Sequence, residues 1–356
     1  MKIAFVYDRV NKWGGAERVL LALHEIWPDA PLFTAVYDAR HASWANVLRV
    51  HPSFMQHIPL AKNHHEWFPW LTPMAFESFS WEGYDVVLSV TSAEAKDIIT
   101  KPGTIHICYC LTPTRYLWSG EQEYEKSGFA GSVLRMFSPV LKKWDSIAST
   151  RPDYYIAISK RVAGRIEKYY KRNVEKIIYP PVDTKMFQMP NAQMENNYFL
   201  CVSRLVPYKR VDVLIKTFNK TGEKLVIVGS GSQKSYLESI AKKNVTFAGD
   251  LTDKELAAYY QKARAFVFAG EEDFGIVSLE AQSCGKPVIC LRKSGMAETV
   301  IEGVTGELFD TDLTGTLQKF MEKRYDSASC RSNAEKFSVV RFKKEIKEEV
   351  MRLITL

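Results

Sequence analysis

The second half of the chain alternates short apolar runs with amphipathic stretches at a regular beat. "YFLCVSRL", "KLVIVGSG", "VTFAGD", "RAFVFAG" and "KPVICL" are apolar runs bounded by glycine or polar residues, and they read as buried strands. "VDVLIKTFNK", "QKSYLESIAKK", "TDKELAAYYQKA", "IVSLEAQSCG" and "MAETVIEG" follow them in turn and read as helices. Thr252, with Glu255 three residues on, has the pattern of a capping box. Strands alternating with helices of this length indicate a parallel sheet covered on both faces. Such a sheet takes ligands in the crevice beyond the carboxyl ends of its strands.

The first half starts the same way, with strand "KIAFVYD", glycine turn "NKWGG" and helix "AERVLLALHEIW". "YDVVLSV", "TIHICYC" and "YYIAISK" read as further strands, and "KRVAGRIEKYY" as a helix capped by Ser159. This predicts a second doubly wound domain carrying irregular insertions. The last segment, "SVVRFKKEIKEEVMRLI", has the spacing of a terminal amphipathic helix. All eight tryptophans fall in the first half, so the halves differ in surface or core. The seam is expected near "IIYPPVDTKMFQMPNAQMENN", with its paired prolines and Asn/Gln run. The expected division is 1–183, 184–335 and a closing helix, 336–356, packing back toward the first domain.

Composition narrows the picture. At 356 residues and 46% hydrophobic, the chain has material for two soluble cores. No apolar run reaches a membrane-spanning length, and the N-terminus reads as a first strand, not a secretion signal. The six cysteines are scattered through apolar segments without metal-ligand spacing, which fits buried thiols in a reducing cytosol. A net charge of +7 suits an anionic small molecule or an anionic lipid surface. With no nucleic-acid-binding motif present, nucleic acid is not expected as a partner.

Three stretches carry candidate chemistry. In "VSRLVPYKR", Arg204 follows a strand end and Lys209 lies near a helix start. Two cations there form a site for a diphosphate, although alone they fit a solvated basic loop equally well. In "VIVGSGS", Gly229 and Gly231 permit a tight turn, a weak signal by itself. In "EEDFGIVSLEAQSCGKPVI", Gly275 turns the chain and the amides of Phe274, Gly275, Ile276 and Val277 open a helix that attracts anions. Glu280 can accept two hydrogen bonds at once, which suits the diol of a ribose, and Glu272 could hold the hydroxyls of a second sugar. The plainer reading, that both acids are helix-start charges, is disfavoured by their eight-residue separation, the Phe-Gly turn and the Gly-Lys-Pro ending.

Taken in order, these segments resemble the retaining nucleotide-sugar glycosyltransferases of family 4. "EEDFGIVSLEAQSCGKPVI" is similar to the family's glutamate–seven residues–glutamate motif and "SRLVPYKRVDVLI" to its Arg–Leu–three residues–Lys segment. "NKWGGAERV" resembles its N-terminal glycine loop, and "IAISKRVAGRI…IIYPPVD" the end of its first domain. With "RYLW", the pattern is most similar to the mannosyltransferase-like members that build bacterial surface polysaccharides.

The resemblance implies a GT-B fold, with two facing doubly wound Rossmann-like α/β domains, parallel sheets and an interdomain cleft. It implies a first domain that binds the acceptor and a second that binds the donor. Arg204 and Lys209 would hold the donor diphosphate, Glu280 the ribose, and Glu272 with the amides around Phe274, Gly275 and Ile276 the transferred sugar. Gly14 and Gly15 would close over the phosphates, Gly229 and Gly249 would join the donor site, and backbone around "FAGDL" would read the base. Leu111, Arg115 and Tyr116 would face the acceptor. Leu111 stands where family members carry a histidine, keeping the carbonyl and losing the imidazole. His106, five residues away, reads as a core or strand-face residue.

The implied activity is hexose transfer with retention, mannose from GDP-mannose, onto a saccharide or polyprenyl-linked acceptor. A UDP-sugar enzyme of the same fold and a non-catalytic saccharide-binding relative are the alternatives. No cofactor or metal is expected, and Asp312 of "FDTDLTG" reads as a helix cap. "NHHEWFPWLTPMAF" and "SVLRMFSPVLKKW" suit either a bilayer interface or a protein groove. The expected location is the cytoplasm, at the inner face of the membrane if the acceptor is lipid-linked.

Overall fold

The computed structural model describes the chain except residues 63, 65–66, 122–127 and 191–196 and the side chains of residues 128–130. Positions 191–196 of the expected seam, and 63, 65 and 66 of the first aromatic stretch, therefore lie outside the described residues. Among the described residues, thirteen strands form two parallel sheets, one in each of two compact units. Unit 1 comprises residues 1–179 with 342–356, and unit 2 residues 180–341.

Unit 1 contains β1 (Ile3–Tyr7), β2 (Leu32–Thr34), β3 (Val50–Pro52), β4 (Val86–Thr91), β5 (Ile105–Cys110), β6 (Tyr154–Ala157) and β7 (Lys176–Ile177), in the order β3-β2-β1-β4-β5-β6-β7. β1 and β4 are buried at every position, as expected of strands covered on both faces. The helices are α1 (Gly15–His24), α2 (Leu71–Glu77), α3 (Gly128–Ala148) and α4 (Lys160–Arg165). Ser159 caps α4, accepting from the amide of Val162, and a π-helical turn, Ile166–Tyr170, prolongs it. His106 is a core residue of β5, hydrogen-bonded to Ser89 at 2.8 Å. Burial, aided by the cations Arg151, Lys96 and Arg172, pushes its pKa down to about 3.

Unit 2 contains β8 (Tyr198–Val202), β9 (Leu225–Val228), β10 (Val245–Gly249), β11 (Ala263–Phe268), β12 (Val288–Leu291) and β13 (Gly306–Phe309), in the order β10-β9-β8-β11-β12-β13. Its helices are α5 (Val211–Thr221), α6 (Lys234–Ile240), α7 (Asp253–Lys262), α8 (Ile276–Ser283), α9 (Leu313–Met321) and α10 (Ser327–Glu335). The capping box on α7 is complete. "MAETVIEG" forms only a 3₁₀ turn, Gly295–Thr299, not the expected helix. The β-branched run Thr299–Val300–Ile301 resists helix, and the Ile301 amide goes to the Thr305 hydroxyl at 2.9 Å. The closing helix is α11 (Val339–Ile354), and from Phe342 onward it belongs to unit 1. There Phe342 packs 5.9 Å from the Tyr109 ring and Lys343 meets Glu25 at 2.8 Å.

The strand order reverses beside the first strand of each unit, between β1 and β4 and between β8 and β11. In a parallel sheet, the carboxyl ends flanking that reversal open the crevice where ligands bind.

Candidate active site

The reversal in unit 2 gathers the sequence's cations and acids. Beyond β8 the chain is laid against the loop after β9. Ser203 N donates to Val228 O at 3.0 Å, Leu205 N to Ser230 O at 2.8 Å, and Gln233 N to Leu205 O at 2.9 Å. Gly229 and Gly231 have positive φ of 123° and 155°, and a Cβ on either would overlap the backbone of Ser203 or Leu205. "VGSGS" is thus the seat of the Arg204 segment, and the tight turn expected at its glycines is what lets the two backbones meet. Gly249 belongs to the same corner: its carbonyl accepts from Gly229 N at 2.7 Å. Arg204 itself is exposed, its guanidinium held 2.9 Å from the Tyr208 hydroxyl.

Lys209 is only 7% exposed. It ends a one-turn 3₁₀ helix, Pro207–Lys209, and its Nζ donates to Glu272 Oε1. The ammonium also lies 4.8 Å from the Tyr208 ring centroid and 5.8 Å from that of Phe268. Gly270 allows this closeness, since a Cβ there would stand 2.6 Å from the Lys209 carbonyl oxygen. The Glu272 backbone is clamped from the far side. Its amide donates to Ser294 Oγ at 2.9 Å, and its carbonyl accepts from Gly295 N at 2.8 Å. A Cβ on Gly295 would overlap the Asp273 backbone. Cys201 is fully buried, and burial pushes its thiol up to about 12, so it is no nucleophile at neutral pH.

Gly275, with φ 91°, turns the chain into α8, and a Cβ there would sit 2.7 Å from Met296 Cε. Phe274 packs inward, 2% exposed and 6.1 Å from the Phe337 ring, so what it can offer a ligand is backbone. Ile276 and Val277 remain half-buried at the helix start, where amides lack intrahelical partners. Glu280 is 3% exposed, with its Oε2 3.0 Å from the Tyr260 hydroxyl, which also lies 3.2 Å from Val277 O. A diol reaching Glu280 must share it with Tyr260.

The residues named in unit 1 lie at the carboxyl edge of that unit's own sheet. Gly14 and Gly15 open α1 in extended and helical geometry, with Glu17 buried behind them against Tyr7 Oη at 2.5 Å. Leu111 follows β5 directly, its amide on Thr91 O at 2.8 Å, and Arg115 N reaches Ser92 O at 3.3 Å. The Tyr116 hydroxyl donates to Glu94, whose other oxygen accepts from Arg9 at 2.8 Å. The Asp310–Asp312 pair is structural: Asp312 caps α9 by accepting from Gly315 N at 2.8 Å, and Asp310 meets Arg292 at 3.3 Å.

Sequence reasoning missed Tyr208, Tyr260, Gly270, Ser294 and Gly295. All but Tyr208 act through a partner distant in sequence, so spacing gives no sign of them; Tyr208 touches its near neighbours Arg204 and Lys209 and carries no motif of its own. The glycines alone left a trace, as punctuation after a strand and before a short turn.

Curated relatives align mainly with half of this chain or less. An uncharacterized glycosyltransferase of Methanocaldococcus jannaschii is 28% identical over 177 residues, 48% of this chain and 49% of that protein. A GDP-mannose-dependent alpha-(1-6)-phosphatidylinositol monomannoside mannosyltransferase of Mycolicibacterium smegmatis is 35% identical over 159 residues, 37% of this chain and 42% of that protein. The chain thus spans less than half the length of these relatives. Solved structures match it end to end. The sucrose-phosphate synthase of Thermosynechococcus elongatus superposes with a TM-score of 0.75 at 17% identity, covering all of both chains. HepE of Anabaena, in complex with UDP and glucose, gives 0.71 at 19%, covering 99% of each. These likenesses show the fold, the α/β class with two Rossmann-like units seen in GT-B glycosyltransferase structures. Within it, residues 182–337, nearly the whole of unit 2 and all of the Arg204–Lys209–Glu272 site, match the family described as Glycosyl transferases group 1.

Proposed function

We propose that the chain is a retaining glycosyltransferase that moves a hexose, mannose from GDP-mannose, onto a saccharide acceptor. The observation that carries the reading is buried Lys209 paired with part-exposed Glu272 beside exposed Arg204, at the strand reversal of the unit that matches the group 1 family. Relatives named as GDP-mannose-dependent support the donor.

Transfer breaks the bond from the anomeric carbon to the diphosphate and forms one to the acceptor oxygen. Negative charge grows on the departing diphosphate, and preorganised charge aimed there is the largest help available. Arg204 offers a planar fork and Lys209 a point charge, with the α8 amides adding a third contribution. Glu272 orients Lys209 through their direct contact and accepts hydrogen bonds from the sugar hydroxyls. Glu280 holds the ribose. No side-chain nucleophile and no metal take part. The acceptor hydroxyl attacks on the face the diphosphate leaves and gives its proton to a phosphate oxygen.

We place the acceptor on a lipid at the cytoplasmic face of a membrane. Among the described residues, no helix is long and apolar enough to cross one. The outer side of α3, however, exposes Met136, Val140 and Ile147 at 68%, 62% and 54%, with Arg135 and Lys143 beside them, which suits an anionic bilayer surface.

A thermal-shift panel of GDP, UDP, ADP and their sugars, followed by donor hydrolysis, tests the reading. A ligand that binds only the native state raises the midpoint with its affinity. GDP and GDP-mannose should give the largest shifts. A larger UDP response would move the donor to a UDP-sugar, and silence from every nucleotide would overturn the reading. Tight binding without turnover would favour the non-catalytic relative that Leu111 leaves open. Glu280→Ala should weaken nucleotide affinity, whereas Glu272→Ala should mainly lower turnover.

A further inference from the structure

Two tryptophans that the proposed transfer chemistry leaves unused stand at the carboxyl edge of the unit 1 sheet. Trp13 lies in the turn between β1 and α1 and is 44% exposed. Trp44 lies in a 3₁₀ turn, Ser43–Val47, in the segment that follows β2. Their ring centroids are 6.3 Å apart, with the planes tilted by 48°. The backbone sets this pairing: Val10 N donates to Val36 O at 3.0 Å and Asp38 N to Val10 O at 2.8 Å, lacing the two strand exits together.

Both rings are fixed in place. The Trp44 indole N–H donates to the Lys12 carbonyl at 2.6 Å, and the Arg18 guanidinium lies 5.3 Å from the Trp13 ring centroid. By contrast, Trp81 of the same unit is 1% exposed within an aromatic core. An oriented indole left in water beside a ligand crevice is an apolar surface prepared for a partner. The rim is polar. Tyr37 Oη and Asn46 Oδ1 are 3.3 Å apart, and His41 meets Asp38 at 2.7 Å, all on the segment that carries Trp44.

We propose that Trp13 and Trp44 form a stacking platform for a pyranose ring, a saccharide subsite on unit 1. A pyranose presents a face of C–H groups to an indole and a belt of hydroxyls to the polar rim. With the Trp44 N–H already satisfied by backbone, that ring offers a surface and not a hydrogen bond. The identification of this saccharide as the acceptor rests on the glycosyl-transfer reading; the binding itself does not.

Saturation-transfer NMR on the full chain tests it without donor or turnover. The probes are the methyl glycosides of mannose, glucose, galactose and N-acetylglucosamine. At least one should receive saturation at its ring C–H protons from the wild-type protein. That signal should fall about five-fold or more in Trp13→Ala and less than two-fold in Trp13→Phe, which keeps an aromatic face. Because Trp13 is exposed, the unfolding midpoint of either variant should move by under about 2 °C, so a lost signal is not a lost fold. Equal signals from wild type and Trp13→Ala would overturn the proposal, as would none from any probe with the wild type. A loss confined to GDP or UDP as probes would overturn it too, marking the platform as a base-stacking site. Since no nucleotide is needed for the sugar arm, failure here and failure of the glycosyl-transfer reading are seen in separate experiments.

Discussion

The two units share one strand order and fill its reversal in different ways. At the ends of β1 and β4, unit 1 packs charges that answer one another. Asp8 accepts from the Thr91 hydroxyl at 2.7 Å, Ser92 N at 2.7 Å and Ala95 N at 2.9 Å. Lys96, 1% exposed, donates to Ala93 O, Asp97, Thr114 and, at 2.5 Å, Asp145. Asp145 in turn takes the Trp118 indole N–H at 2.6 Å. This network ties the turn after β4, the loop after β5 and α3 into one rigid node beneath Arg115 and Tyr116. At the ends of β8 and β11, unit 2 instead leaves Arg204 in solvent and holds Lys209 against an acid that is 18% exposed. The same scaffold therefore yields a closed ionic node in one unit and, in the other, an exposed arginine beside a lysine paired with a part-exposed acid, where the anion site is proposed. The difference lies in the loops, where function is carried.

The comparison is broken most directly at Lys96. Lys96→Ala leaves Asp145 buried without its cation, and removing one partner of a buried pair costs about 3–5 kcal/mol. Chemical denaturation should show that loss. Replacing both partners at once, Lys96→Met with Asp145→Leu, should recover part of it and not all, because buried Asp97, 3.1 Å from the Lys96 ammonium, still loses its cation. A small loss in the single variant would mean that the node is not the structural element described.

Lys209→Ala should behave in the opposite sense. Its partner can be rehydrated, so stability changes little. Turnover should fall 10²- to 10³-fold, about 3 kcal/mol in the transition state, as when one preorganised donor is lost. Initial rates with saturating donor read the effect. If denaturation midpoints fell as far as in the Lys96 variant while rates held, the roles of the two units would be exchanged.

The sequence made one side of this contrast far more legible than the other. In unit 2 the apolar runs are continuous and the caps local, so β8 to β12, the α7 capping box and the Asp312 cap could be read from spacing. β13 could not, because "GELF" carries a buried glutamate, Glu307, inside a four-residue strand. In unit 1, β2 and β3 have three residues each and β7 two, too short for any period to show. The ionic node stayed hidden because Asp8, Lys96, Thr114 and Asp145 are far apart in the chain. Arg204, Lys209, Glu272 and Glu280 stood out by motif, yet the burial of Glu280 under Tyr260 and the clamp of Ser294 and Gly295 on Glu272 are contacts between distant segments.

Glu307 of unit 2 is buried more completely than the charges of the unit 1 node, and it sharpens the contrast through pH. Glu307 is 0% exposed and meets Lys319 at 2.8 Å, Lys323 at 2.7 Å and Tyr325 at 2.6 Å. Burial alone would raise its pKa, but hydrogen bonds from Lys319, Lys323 and Tyr325 outweigh it and hold the carboxyl at about 2, against an ordinary value of 4.5. A carboxylate depressed on folding adds stability that is complete above its unfolded pKa and is lost as pH falls through the folded one. Unit 2 should therefore weaken from about pH 4.5 down toward pH 2. Glu307→Gln should cost about 1.5–3 kcal/mol near neutrality, the range for a hydrogen bond to a charged group, and should flatten that acid limb. Unfolding midpoints recorded between pH 6 and 3 compare the two slopes; equal slopes would remove Glu307 from the account.

The smallest effect is expected at Tyr260, and it asks whether unit 2's buried acid belongs to the site or to the core. Tyr260 is 0% exposed, so Tyr260→Phe removes an oxygen and leaves the ring packed against Phe187 and Phe266. The loss of one hydrogen bond costs about 1 kcal/mol. If Glu280 is a ribose holder that Tyr260 orients, part of that loss appears in nucleotide affinity, as a dissociation constant for GDP raised by up to about five-fold in titration calorimetry. If Glu280 serves packing alone, as Asp145 does in unit 1, the whole loss appears in stability and the affinity for GDP stays where it was. The ratio of the two changes in this one variant decides whether Glu280 belongs with the proposed ligand-binding residues of its own unit or resembles the closed node of the other.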